Sequence, residues 1–426
     1  MKKIKAYFDY TGNANLYQLS EIAGQRWLTF DFHNIKEPLA EAGFEITYRS
    51  SIEMEFGMYI VSVRNYCNWW SGSVNPGPSR HVLYEIPLAV LHAARKGNAI
   101  IVIDNQSEGM SLNFGGFEGF KKMHEVMHNL QLPPNSVLII NGDFDFKKNY
   151  QQWCFDNNEQ ERLLHVPFLT WTWILNNRVP DRPLILDAID NPNSKSFNSL
   201  NRTPKFHRIE HLYYLIENKL LDEGIVSGHY LDTYSEIKFI PPKPMLVDAN
   251  YEYFTKLIHD NLPLYADGPW IEANPDDSDE HIFNTSLYKN SLLSVVTESA
   301  YADTSKFITE KIFKPIAAGH PFLLIGQPGV LETLRELGYK TDFSMINPIY
   351  DNVSNHKTRF KVSHSMLTKW VNTPREEKIE MINRSMGTIE YNQNLFRNRC
   401  HVKESYQELY KTIEQFKNSH NASYGN

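Results

Sequence analysis

The sequence predicts an α/β fold in two successive domains, and three observations predict it. Short, continuously apolar runs such as MYIVSV (58–63), AIIVID (99–104) and SVLIING (136–142) alternate with stretches of helical periodicity. At 426 residues the chain is too long for one ordinary core. Between 179 and 199 the texture changes to VPDRPLILDAIDNPNSKSFNS, whose Pro, Asp and Asn content suits an interdomain connection.

In the first half, the strand at 58–63 leads to a helix near 86–95, a strand at 99–104, a helix at 116–130 and a strand at 136–142. Strands that are apolar throughout, with amphipathic helices between them, belong to a parallel sheet covered on both faces. The second series opens with SFNSLN and a helix at 205–222, in which Phe206, Ile209, Leu212, Leu215, Ile216 and Leu220 share one apolar face. It resumes with SLLSVVTES (291–299), a helix starting at Thr309-Glu310-Lys311, the strand PFLLIG (321–326) and a helix at 329–337. The acidic GPWIEANPDDSDEH (268–281) between them reads as an exposed loop. From Ser365 onward the chain reads as helices, the last of which, near 402–416, is expected to pack back across the first domain. The expected boundaries are 1–185, 195–385 and a C-terminal helical segment at 390–426.

Composition narrows the function classes. The content is 42% hydrophobic and 22% charged, which describes an ordered globular chain, and the formal net charge of −7 is the reverse of a nucleic-acid binder's usual surplus. Cys67, Cys154 and Cys400 are far apart and in no CxxC pair, which argues against a disulfide framework and a zinc site. No apolar run approaches a membrane span, so the expected location is the cytoplasm. The aromatic clusters CNWWSG (67–72) and FLTWTWI (168–174) read first as core and second as a sugar-stacking surface.

Candidate chemistry gathers in the second half. Arg202 follows the SFNSLN strand and Arg208 lies in the first turns of the next helix, where a diphosphate finds guanidinium donors and a helix N-terminus together. The competing reading pairs them with surface carboxylates such as Glu210 or Asp222. Glu310 can accept two hydrogen bonds from a ribose diol and Lys311 can neutralise phosphate charge, with Thr309 as the helix cap. Against this, Glu310 could be an ordinary first-turn acid and Lys311 a solvated side chain. Two Asp-x-Asp triplets, Asp143-Phe144-Asp145 and Asp277-Ser278-Asp279, carry little weight in a chain this rich in Asp.

The segment VVTESAYADTSKFITEKIFKPIAAGHPFLLIG resembles the donor-binding signature of the α1,3-fucosyltransferase family, with a strand-end acid (Glu298), a Thr-Glu-Lys helix start and a small-residue turn before an apolar strand. The upstream SFNSLNRTPKFHRIEHLYYLIENKLLDEGIVSG is similar to that family's arginine-bearing helix, and the two stretches together cover roughly a third of the chain. The resemblance implies a GT-B glycosyltransferase: two facing Rossmann-like domains, the first for the acceptor and the second for the nucleotide sugar, with the C-terminal helix crossing back. It implies that Arg208 meets the diphosphate, Glu310 the ribose and Lys311 the phosphates; Arg202, from its place after the strand, and the strand-end Glu298 are the other donor-site candidates. Val295-Val296-Thr297 before the acid and Phe313-Lys314-Pro315 in the helix depart from the family's pattern, which bears on the donor's sugar and base.

The expected reaction is inverting transfer from a GDP- or UDP-sugar, GDP-fucose first, to a glycan hydroxyl, with no metal or other cofactor. Inversion needs a base, and Glu108, just past the 99–104 strand, is the expected one, with Asp104 and Glu85 as rivals. Two alternatives stand beside this. The run Asn201 to Arg208 is also similar to glycosyltransferase-like proteins of large bacteriophages, which would make hydroxymethylated DNA bases the acceptor. A non-catalytic glycan-binding protein on a degenerate transferase fold is the other.

Overall fold

Strand β1 (Ile4–Phe8) pairs in parallel with β2 (Phe44–Tyr48) on one side and β3 (Gly57–Ser62) on the other. Helix α1 (Leu88–Arg95) leads to β4 (Ala99–Asn105), α2 (Gly119–Asn129) to β5 (Val137–Asn141), and α3 (Phe146–Asp156) to β6 (Leu163–Pro167). In this computed structural model, which describes residues 4–8, 39–48, 56–62, 81–105, 109, 112, 118–175, 178–201, 203–228, 243–266, 283–302 and 305–424, these strands form one parallel sheet ordered β2-β1-β3-β4-β5-β6. Every residue of β4 and β5 is buried, because both faces are covered. Ile101, Ile103, Val137 and Ile139 pack on one face with Val90, Phe120, Met123 and Tyr150. Ile100, Val102, Leu138 and Ile140 pack on the other with Tyr406, Leu409 and Ile413 of the C-terminal helix. Alternate residues of one strand thus serve two cores, as the pleat requires.

The second sheet follows α4 (Ile185–Asp190). It is built from β7 (Phe197–Asn201), α5 (Phe206–Glu217), β8 (Gly224–Gly228), α6 (Tyr251–Asn261), α7 (Thr285–Lys289), β9 (Ser294–Thr297), α8 (Glu310–Ala318), β10 (Phe322–Ile325) and α9 (Val330–Glu336). The described strands are parallel and ordered β10-β9-β7-β8. The order reverses between β7 and β9, and the carboxyl ends of strands at such a reversal are where α/β sheets open a ligand crevice. Helices α10 (His356–Asn372) and α11 (Arg375–Asn398) complete this half, and α12 (His401–Tyr424) closes the described chain.

By contact the chain divides into two units: 1–170 with 303–307 and 401–426, and 171–302 with 308–400. Helix α12 therefore belongs to the first unit, where Tyr410 meets Phe44 edge-on at 5.1 Å. The two parallel α/β sheets are the fold class expected from the sequence. The expected connection at 179–199 is not irregular, however. It holds α4 and the start of β7, whose polar residues are buried by side-chain hydrogen bonds: Asn198 donates to Ser291 and Ser294. The helix expected at 205–222 ends at Glu217, and a separate short turn follows at Leu221–Glu223.

Arg202, Glu108, the side chain of Glu85, the acidic loop at 268–281 with its Asp-x-Asp, and the 67–72 aromatic cluster lie outside the described residues. Among the described residues no helix is long and apolar enough to cross a membrane.

Candidate functional site

At the β7–β9 reversal, the second unit places a set of charged side chains around Glu298, the residue that follows β9. Its backbone N–H donates to Ile325 of β10 at 2.9 Å, and its carbonyl accepts from His207 Nε2 at 2.9 Å and Arg208 Nη2 at 3.1 Å. Its carboxylate, fully buried, accepts from the Thr309 hydroxyl at 2.7 Å, the Thr309 N–H at 3.3 Å and the Ser299 N–H at 3.0 Å. One residue thus ties β10, the first turn of α5 and the cap of α8 together. Burial raises the Glu298 carboxyl above its ordinary value, with Lys311 and Thr309 opposing.

Helix α8 starts here because Thr309 caps it, its hydroxyl accepting the Lys311 N–H at 3.3 Å. Glu310 Oε1 accepts from Lys311 Nζ at 2.7 Å, and Lys311 Nζ also reaches Thr309 Oγ1 at 3.3 Å. Burial works to raise the Glu310 carboxyl, but Lys311 and Lys314 outweigh it and hold it below its ordinary value. Glu310 keeps 5% of its side-chain surface exposed and Lys311 keeps 30%, so Lys311 is the member of the pair that solvent reaches. The helix ends at Gly319, whose φ of 63° is left-handed.

Helix α5 differs from the amphipathic helix its sequence suggests. Ile209, Leu212 and Leu215 are in the core as expected, but His207, Arg208, Glu210 and His211 are buried as well. Arg208 donates to the carbonyls of Thr203, Thr297 and Glu298, and its Nε has no partner. Burial lowers it to about 10, with Glu298 and Glu310 opposing, so it stays charged at neutral pH. The competing pairing with Glu210 is not formed: that carboxylate accepts the N–H groups of Met245, Leu246 and Val247.

Behind the site runs a chain of hydrogen bonds with a single direction. His364 Nδ1 lies 2.8 Å from the carbonyl of Phe360 and so carries the proton. His364 Nε2 therefore accepts from His211 Nδ1 at 2.8 Å, and His211 Nε2 accepts from the Ser199 hydroxyl at 3.0 Å. Ser199 accepts from Asn201 Nδ2, and Asn201 Oδ1 accepts from the Thr297 hydroxyl at 2.8 Å. Both histidines are neutral in this arrangement, and burial holds both below their ordinary value. The chain fixes Thr297, whose carbonyl holds Arg208.

The structure thus brings Arg208, Glu298, Glu310 and Lys311 together. His207 was not singled out for this site by its sequence; its Nε2 must carry a proton to reach the Glu298 carbonyl, and no local pattern signals a partner 91 residues away. In the first unit, Asp143 Oδ1 accepts the N–H groups of Asp145 and Lys306, so its Asp-x-Asp shapes a turn. Among the described residues no group of three or more His, Cys, Asp or Glu could hold a metal ion.

No protein-family model and no curated protein matches the sequence. Among solved structures, the chain is similar to WaaG, a glycosyltransferase involved in lipopolysaccharide biosynthesis, at 11% identity over 96% of this chain and 99% of that one, with a TM-score of 0.45. It is also similar to an α,α-trehalose-phosphate synthase (UDP-forming) from Burkholderia vietnamiensis, at 11% identity, 84% and 73% coverage and a TM-score of 0.41. An α1,3-fucosyltransferase is similar at 12% identity, 97% and 89% coverage and a TM-score of 0.34.

Proposed function

We propose that the protein is a GT-B glycosyltransferase whose second unit binds a nucleoside-diphosphate sugar at the carboxyl ends of β7 and β9. The observation that supports this most is the placement of the part-exposed Lys311 side chain at the N-terminus of α8, beside two buried carboxylates and the buried Arg208. A diphosphate gains there from a cation and the positive end of the helix dipole. Glu310 accepts from the ribose hydroxyls, and Arg208 adds a fixed positive charge from below. Arg202 completes the donor site in this reading.

The reaction we infer is a single displacement with inversion. The acceptor oxygen forms a bond to the anomeric carbon as the bond to the diphosphate oxygen breaks, and the diphosphate leaves with the electron pair. Lys311 and Arg208 stabilise the charge that grows on the leaving group. A carboxylate takes the acceptor's proton, and Glu108 is our choice for it. GDP-fucose is the first donor to try, a glycan the first acceptor, and no metal is required.

Thermal stabilisation by GDP, UDP, CDP and ADP, with and without magnesium, tests this, since a ligand of the folded state raises the melting temperature in step with its affinity. We expect a shift with one diphosphate that persists in chelator and disappears in Lys311→Ala. No shift with any of the four would remove the donor site and favour a non-catalytic protein. Activity lost in chelator and restored by manganese would overturn the metal-free mechanism.

A further inference from the structure

Two buried amides at the carboxyl edge of the first sheet each leave one atom without a partner, and they are neighbours. Asn105 ends β4, Asn141 ends β5, and the two are register partners, so their side chains leave the same face of the sheet. Asn105 is 4% exposed and Asn141 1%, yet Asn105 Oδ1 and Asn141 Nδ2 have no hydrogen-bond partner.

The orientation of Asn141 is not open to reversal. Its Oδ1 accepts from the backbone N–H of Asp143 at 3.1 Å and from His165 Nε2 at 2.8 Å. Turning the amide over would set its NH2 against a backbone donor, so Nδ2 points its hydrogens at whatever completes the site. The anchor is itself fixed: His165 stacks on Phe146 at 4.3 Å, and Asp143 Oδ1 accepts from Asp145 and Lys306. An unpaired donor and an unpaired acceptor therefore end two register-paired strands.

We propose that Asn105 and Asn141 form a binding site for a sugar hydroxyl. A hydroxyl group donates one hydrogen bond to Asn105 Oδ1 and accepts one from Asn141 Nδ2, and so satisfies both atoms at once. With Asn105 oriented as in the structure, a phosphate or carboxylate, which only accepts, would leave Asn105 Oδ1 unpaired. An ammonium only donates, and would leave Asn141 Nδ2 unpaired. The hydroxyl site stands on this geometry alone; calling its occupant the acceptor substrate rests on the transferase reading.

The test uses the full chain without nucleotide, so that it stands or falls apart from the donor site. Saturation-transfer NMR and calorimetry would measure binding of D-glucose, D-galactose, N-acetyl-D-glucosamine and lactose, with tetrahydropyran as the ring without hydroxyls. We expect at least one sugar to bind, tetrahydropyran not to, and the affinity to fall at least tenfold in Asn141→Asp and in Asn105→Ala. Asn141→Asp keeps the shape and the two accepted hydrogen bonds while replacing the donor with an acceptor; a cooperative melting transition, at a lowered temperature, confirms that it folds. The proposal is overturned if none of the four sugars binds, or if binding is unchanged in both variants, in which case the pair encloses a trapped water only.

Discussion

The two sheets finish their carboxyl edges in opposite ways. In the second, Asn201 at the end of β7 uses its whole amide: Nδ2 donates to Ser199 and Oδ1 accepts from Thr297. Beside it, Glu298 satisfies its carboxylate three times over, and opposite charges stand close together. In the first, Asn105 and Asn141 end two central strands with Asn105 Oδ1 and Asn141 Nδ2 left unpaired. The contrast teaches that the charged edge satisfies its carboxylates from its own chain, since a buried unpaired carboxylate is the costliest group to leave, even though Arg208 Nε and His207 Nδ1 stay unpaired there, whereas the neutral edge leaves an amide donor and an amide acceptor open.

Acid should separate the two units most strongly. Burial holds His81 and His165 of the first unit at about 3, and in the second it holds His364 at about 3, His320 at about 4, and His207 and His211 well below the ordinary value. A base with a lowered folded pKa stays neutral in the fold while the unfolded chain takes up a proton. Stability is therefore full above about pH 6.5 and falls as pH drops toward the folded value, by up to about 1.4 kcal/mol per pH unit for each histidine. The second unit carries more of them, and the His211–His364 bond has no place for another proton. Hydrogen exchange between pH 7 and 5 should show β7 and α5 opening before β4 and β5. The reverse order would break the comparison.

Glu298→Ala comes next in size. It strands the Thr309 hydroxyl and removes the buried negative charge nearest Arg208, which should cost about 3–5 kcal/mol in urea unfolding. Glu298→Gln, which keeps the shape and most of the hydrogen bonds, should cost less than half as much. Equal losses in the two variants would mean that charge does not hold this edge.

Gly319→Ala tests the other end of α8. A Cβ at Gly319 would lie 2.6 Å from the Cα of Pro183, a backbone atom that cannot rotate away, and φ is already 63°. Left-handed strain alone is worth about 1–2 kcal/mol, and the collision adds to it. A melting temperature within a degree of the parent would show that Pro183 and α4 shift freely.

The residues of this site differ in how far their sequence announces them. Thr309-Glu310-Lys311 was legible because a cap, a first-turn acid and a cation are local features of a helix start. The parallel strands were legible for the same reason, since β4 and β5 are apolar at almost every position. Helix α5 was legible only on its apolar face. Glu210 reads as a surface carboxylate and nothing local marks His207, Arg208 or His211 as buried, yet each of the four is buried because its partner arrives from far along the chain: the 245–247 backbone, Glu298, Thr297 and His364. Burial of a polar side chain is decided by its partner, and no periodicity contains that information. Asn141 is the sharper case, because even its unpaired amide becomes visible only once Asp143 and His165 have fixed its orientation.

The smallest stability effect carries the most functional information. Lys311 is part-exposed and its bond to Glu310 joins adjacent residues, so Lys311→Ala should change unfolding stability by less than about 1 kcal/mol. Its effect on nucleoside diphosphate affinity should be at least tenfold, or about 1.4 kcal/mol. Asn141→Asp, at the other edge, should leave diphosphate binding as it is and weaken sugar binding. That crossed pattern, read by calorimetry with the two variants and the two ligand classes, would assign the charged edge to the donor and the neutral edge to a hydroxyl. If Lys311→Ala and Asn141→Asp weakened both ligands alike, the two edges would not be separate sites, and the distinction drawn from their hydrogen bonding would fall with it.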